Sequence, residues 1–119
     1  MSRHLVAMVL LLPLAAHAGG AMSINALRGR AVTDPHGVIV DVRQRLDRGG
    51  ANLAPADERA LLWGMGTAAI NADDEAAFAE STLRLDSLGH ARGDAVALAA
   101  SGFLRARHDV ANGIGDGLG

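Results

Sequence analysis

The sequence predicts an all-α protein in which antiparallel helical hairpins stack side by side as a short α-solenoid. Three observations carry that expectation. Alanine dominates an apolar share of 50%, while aromatic residues reach only 3%; Ala-rich faces let helices approach closely and favour helix-on-helix layers. Helical periodicity recurs in blocks separated by acidic caps and glycine stops. Small residues stand wherever two of these blocks would cross, most densely between Pro55 and Arg107.

Taken in order, residues 1–18 read as a secretory signal peptide. Arg3 and His4 form a basic n-region, and Leu5 to Leu14 an apolar h-region too short to span a bilayer. Ala16-His17-Ala18 is the small-x-small cleavage pattern, with Gly19 as the first mature residue. These features predict a periplasmic or secreted protein, in contact with membrane only through the leader before cleavage. The chain has no cysteine, which excludes a lipoprotein anchor and any disulfide in an oxidising compartment.

Residues 19–33 carry a weak signal. Ile24, Leu27 and Ala31 have helical spacing with Ser23 or Asn25 as cap, and a disordered segment fits equally well. Thr33-Asp34-Pro35 then starts a helix to Arg48, with Ile39, Val42, Arg43 and Leu46 along one side. Val38-Ile39-Val40 also suits a strand, but alternation fails at the polar run Arg43-Gln44-Arg45. The helix reading, ended by Gly49-Gly50, accounts for more residues.

The next helix opens with Pro55 and places Asp57 and Glu58 in its first turn, where negative charge meets the positive end of the dipole. Leu61, Met65, Ala68 and Ala69 make one apolar face; Leu62, Trp63, Gly66 and Ile70 make a second, adjoining one. A helix apolar over so much of its circumference is the interior one. Gly64 and Gly66 each cost about 1 kcal/mol of helix propensity relative to alanine, and close helix crossing offsets that cost.

Asn71-Ala72-Asp73-Asp74 makes a turn that caps a helix to Leu88, with Phe78, Ser81, Thr82, Leu85 and Leu88 inward and Glu80 pairing with Arg84 outside. Gly89 to Gly93 breaks it. Asp94 caps a further helix to about Arg107, with Val96, Ala99, Ala100 and Phe103 inward. His108-Asp109 makes another turn. The segment 111–119, rich in glycine, reads as a flexible tail or a truncated helix. The chain stops inside a pattern instead of at a cap, which points to a truncated product or a fragment.

Ala60 to Gly93 spans 34 residues and holds one helix, one turn and most of a second helix. A shift of 35 sets Thr67 over Gly102, Ala68 over Phe103, Ala69 over Leu104 and Asp74 over Asp109. On this period, and on hairpin lengths and small-residue density, the chain resembles a degenerate tetratricopeptide-like array from about Pro35 to Val110. It departs from that pattern where Gly66-Thr67 stands in place of Leu-Gly, taking Trp63 as the first aromatic, and where Asp86 stands in place of a small residue. A leader followed by Ala/Leu/Arg-rich degenerate repeats also resembles the extracytoplasmic N-terminal sensor region of bacterial diguanylate cyclases and sensor kinases. That resemblance covers the input half alone and carries over no catalytic residue.

The formal net charge is −2, mixed along the chain, and all 11 basic residues are arginine. This balance argues against nucleic acid or an anionic membrane as partner. Asp73-Asp74-Glu75 is the densest acidic group, and it reads as cap and first-turn acids before it reads as a cation site. His36, His90 and His108 lack metal-ligand spacing. Gly113 to Gly119 is not a dinucleotide loop, because no strand precedes it. Asn112 to Gly117 has the look of a calcium-binding nonapeptide unit, with no second copy to stack on. Serines 23, 81, 87 and 101 lack a nucleophile elbow. Trp63 and Met65 are the two candidates for core or for partner contact.

The leading expectation is therefore an exported, non-enzymatic helical-repeat module that holds a protein or peptide in the groove of its stacked hairpins, without cofactor or metal. Unpaired end helices imply self-association. A second expectation is the truncated periplasmic sensor region of a signalling enzyme whose output domain is absent. A third is a small periplasmic enzyme or metal-binding protein using the acidic turn and the histidines.

Overall fold

The computed structural model describes residues 24–113. The expected leader, the cap at Ser23 and most of the glycine-rich end lie outside the described residues. Within them the chain forms α1 (Ile24–Thr33), α2 (Pro35–Gly49), a 3-10 turn (Gly50–Asn52), α3 (Pro55–Ala72), α4 (Glu75–Arg92) and α5 (Ala95–Ala111). No strand occurs among the described residues.

Local chemistry sets the boundaries. Asp34 Oδ1 accepts from the Gly37 N–H at 3.1 Å, and Pro35 fills the first position of α2, where its missing N–H costs nothing. The β-branched run Val38-Ile39-Val40 is helical. Val38, Ile39, Val42 and Leu46 share a buried face, so the helical period decides against the strand. Gly50, at φ 49°, ends this helix. Asp74 and Asp94 cap α4 and α5 in the same way, each accepting at 3.0 Å from the N–H three residues on. Asp73 closes α3 in the left-handed conformation, and Gly93, at φ 66°, closes α4.

Each helix packs on its successor in the chain, and α3 touches all four of the others. The helices form two layers: α1, α3 and α5 side by side in one, α2 and α4 in the other. The expected interior helix is α3. Leu62, Met65 and Ala68 are fully buried on it, within a core that takes in Leu27, Val42, Leu85 and Leu104. Its glycines mark the crossings. A Cβ on Gly64 would stand 3.1 Å from Leu27 of α1, and one on Gly66 2.6 Å from Leu104 of α5.

The hairpin repeat differs from the expected 34 to 35 residues. Helices α2 and α4 start at Pro35 and Glu75, and α3 and α5 at Pro55 and Ala95, so both offsets are 40 residues. The unit is longer than a tetratricopeptide because α3 and α4 each run to 18 residues. The register of Thr67 over Gly102 is thereby replaced by one that sets Trp63 over Phe103.

Of the two readings left open for the segment from Ile24, the helix is the one observed, with Leu27 and Ala31 buried in it. Three local expectations are corrected. Gly89 does not break α4. It is buried in the last turn of the helix, which runs on to Arg92, and Leu98 of α5 lies across the space a side chain would fill. His108 and Asp109 remain helical, since α5 runs on to Ala111. The buried line of α5 is Ala97, Ser101 and Leu104; Val96, Ala99 and Phe103 are exposed and Ala100 is half-buried.

Glu80 and Arg84 do not pair along their helix; each reaches to another one. Arg43 meets Glu80 at 3.1 Å, Glu58 meets Arg84 at 3.8 Å, and Arg30 meets Asp41 at 2.9 Å. Arg105 binds Asp86 through two nitrogens, and Arg59 binds the α5 cap Asp94 at 2.7 Å. Burial pushes the Asp41 carboxyl up, but hydrogen bonds from Arg30 and Arg45 outweigh it and hold it below its ordinary value. The Arg105 hydrogen bond lowers Asp86, and the Ala97 N–H, with Arg59, lowers Asp94.

A lowered folded value means that the unfolded chain takes up protons first, so these pairs contribute stability above the ordinary carboxylate value and lose it on acidification. Stability to denaturant is expected to hold near neutral pH, then fall as pH drops from 3.8 through the lowered values. Asp86→Asn should flatten that fall. Identical acid slopes for the two chains, measured by urea titration at several pH values, would contradict the assignment.

Candidate functional site

Among the described residues, the layer of α1, α3 and α5 presents two large apolar side chains that its own core leaves partly covered, Trp63 and Ile70, and Trp63 is the larger. Ala56, Trp63 and Ile70 follow one another at seven-residue intervals, so they lie within about 20° of one line along α3. That line is the open face of α3. On one side of it Asn71 reaches across to the Ala31 carbonyl of α1 at 2.8 Å. On the other, Arg59 reaches Asp94, and Gly66 lies against Leu104 of α5.

Helix α5 repeats the arrangement one unit later. Val96, Phe103 and Val110 have the same seven-residue spacing, and each stands 40 residues after its counterpart on α3. The two lines run parallel, because Arg59 and Gly66 meet α5 in the same order as Asp94 and Leu104. At the centre the Trp63 and Phe103 rings lie 5.5 Å apart, tilted by 37°, within the range of favourable aromatic pairs. Phe103 is 54% exposed, Val96 60% and Val110 65%. The Thr67 hydroxyl donates to the Trp63 carbonyl at 3.0 Å and is thereby satisfied within the helix.

The result is an apolar surface with three rungs, each two helical turns from the next. Its chemistry is that of contact: large apolar side chains on rigid helices, with Arg59 and Asp94 beside them paired to each other at 2.7 Å. Met65, the other candidate from the sequence, is fully buried and belongs to the core. Val96 and Phe103 point outward, against the inward placement that their size suggests. The signal that places them there is the 40-residue offset, which aligns two of the chain's three large aromatic residues.

The polar candidates have structural work. Asp73 and Asp74 close α3 and open α4. Glu75 binds the His108 ring at 2.9 and 3.0 Å, while that ring stacks on Phe78 at 4.1 Å and so ties the end of α5 to the start of α4. His36 and His90 are exposed on α2 and α4. Among the described residues no group of three His, Cys, Asp or Glu side chains is placed to hold a metal ion. Ser81 and Ser101 are buried and donate to the carbonyls of Ala77 and Thr82. Ser87 lines an open depression of about 340 Å³ with Glu58, Arg84, Leu88 and Arg92, and no histidine lines it. No helix among the described residues is long and apolar enough to cross a membrane.

Comparison with family models, with curated proteins and with solved structures returns no match to this chain.

Proposed function

We propose that this chain is an exported, non-enzymatic module of stacked helical hairpins that recognises a protein or peptide through the α1/α3/α5 layer. The observation that carries the reading is the pairing of Trp63 with Phe103, equivalent positions of successive units, on an open apolar face. Stacked hairpins use such faces for recognition because each unit adds the same kind of contact at a fixed spacing. Half-exposed aromatic residues on rigid helices cost little ordering entropy on binding, and they dominate interface energies. The partner that fits has apolar anchors spaced to meet rungs about 10 Å apart along the helix axis. Export rests on the basic, apolar and small-x-small pattern of residues 1–18.

Site-directed photocrosslinking in the producing cell tests this. A photoreactive residue replacing Ala60, beside Trp63, should capture a discrete protein other than the chain itself. The same residue replacing Val40, exposed on α2 in the other layer, should not. No product at Ala60, or equal products at both positions, would overturn the reading.

A further inference from the structure

Helix α5 is the last of the described array and has neighbours, α3 and α4, on one side only. Away from its buried line Val96, Ala99, Phe103, Ala106 and Val110 are all exposed, with Phe103 still touching the Trp63 ring of α3 along one edge of the seam. Their spacing is three, four, three, four. That is the heptad interval by which one helix seats against another along its whole length. The same interval gives the apolar stripe of a surface helix that another helix covers.

The order of side chains along this seam identifies what covers it. Read from either end it is Val, Ala, Phe, Ala, Val, and Phe103 is the midpoint of Ala95–Ala111. A two-fold interface must be complementary to itself, and this seam is so in one arrangement. With two copies of α5 antiparallel across Phe103, Val96 of each meets Val110 of the other, and Ala99 sits at the level of Arg107. Gly102, with nothing within 4 Å of where its Cβ would be, and the alanines beside it permit a close approach.

Charge selects the same orientation. No residue from Ala95 to Leu104 is charged, and toward the other end Arg105 and His108 are taken up by Asp86 and Glu75 of α4, which leaves Arg107 as the exposed cation nearest the seam. Antiparallel copies lay each Arg107 along an uncharged stretch, at the level of Ala99, and set the helix dipoles head to tail. Parallel copies would set the two Arg107 side chains at the same level.

We infer that the chain forms a symmetric dimer in which the exposed seam of α5 packs antiparallel against its copy. The seam covers on the order of 500 Å² per copy, so the pair buries about 1,000 Å², the lower edge of specific interfaces. An interface at that edge is weak, so the dimer is reversible and its population rises with chain concentration. It covers the α5 half of the recognition surface, so dimer and partner compete. The inference stands apart from the partner reading, because self-association is measured on the purified chain alone.

Sedimentation equilibrium of the full chain, from about 1 to 500 µM, tests it. The wild-type chain should pass from monomer to dimer. Val96→Glu places an acid near the helix N-terminus and Val110→Arg a base near its C-terminus, so both suit α5. Each alone should weaken association ~10-fold or more, and the two combined in one chain should restore it, because position 96 faces position 110 across the axis. Circular dichroism melts should show all three variants folded. A chain that stays monomeric to 500 µM, single variants that associate like wild type, or a double variant no better than the single ones would each overturn the inference.

Discussion

Leu62→Ala is expected to lower the unfolding free energy by about 3 kcal/mol, within the range for emptying a fully buried leucine site. Leu62 has no exposed surface, and it sits on the helix that every other helix touches. The cavity cannot close by collapse of one neighbour, since α3 is held on both sides. For a domain of this size the melting midpoint should fall on the order of 15 °C. Leu83→Ala, at 63% exposed on α4, should cost under about 0.5 kcal/mol. Thermal and urea unfolding followed by helical circular dichroism would read both, and a Leu62→Ala loss below about 1 kcal/mol would contradict an interior α3.

How much of the fold is legible in the sequence depends on what kind of signal each feature leaves. Caps are legible, because Asp34, Asp74 and Asp94 act locally and each binds the N–H three residues on. The interior place of α3 is legible because two adjoining apolar faces need neighbours on both sides, and its two glycines mark where those neighbours cross. Gly89 misleads for the opposite reason. Its role is to make room for Leu98 of another helix, and a close approach between distant residues leaves the same letter in the sequence as a helix stop.

The face of α5 is harder to read, because there size does not track burial. Val96 and Phe103 are larger than Ala97 and Ser101, yet the smaller pair lies inward. Leu104 occupies the space left by Gly66, which fixes the rotation of α5. Ser101 satisfies its hydroxyl on the Thr82 carbonyl at 3.3 Å and accepts from Arg105 at 2.6 Å, so its burial leaves nothing unpaired. An end helix with neighbours on one side can bury small residues and leave large ones out. The repeat length is hidden with it, since the aromatic pair at an offset of 40 carries meaning only when Phe103 faces the same way as Trp63.

The second large effect is expected on the open face of α3 and α5, through which recognition is proposed to run. Trp63→Ala removes the largest side chain of that face and unpairs Phe103. Aromatic anchors at the centre of an interface typically contribute 2 kcal/mol or more to binding, so affinity for the partner captured at Ala60 should fall about 30-fold or more. The Trp63 side chain is partly buried against the core, so some stability is lost as well, and the variant must be assayed well below its melting point. Calorimetric titration of that partner into wild-type, Trp63→Ala and Leu83→Ala chains, each checked as folded, probes recognition at its proposed centre. A large loss is expected for Trp63→Ala and wild-type affinity for Leu83→Ala. Unchanged affinity for folded Trp63→Ala would refute recognition through this face.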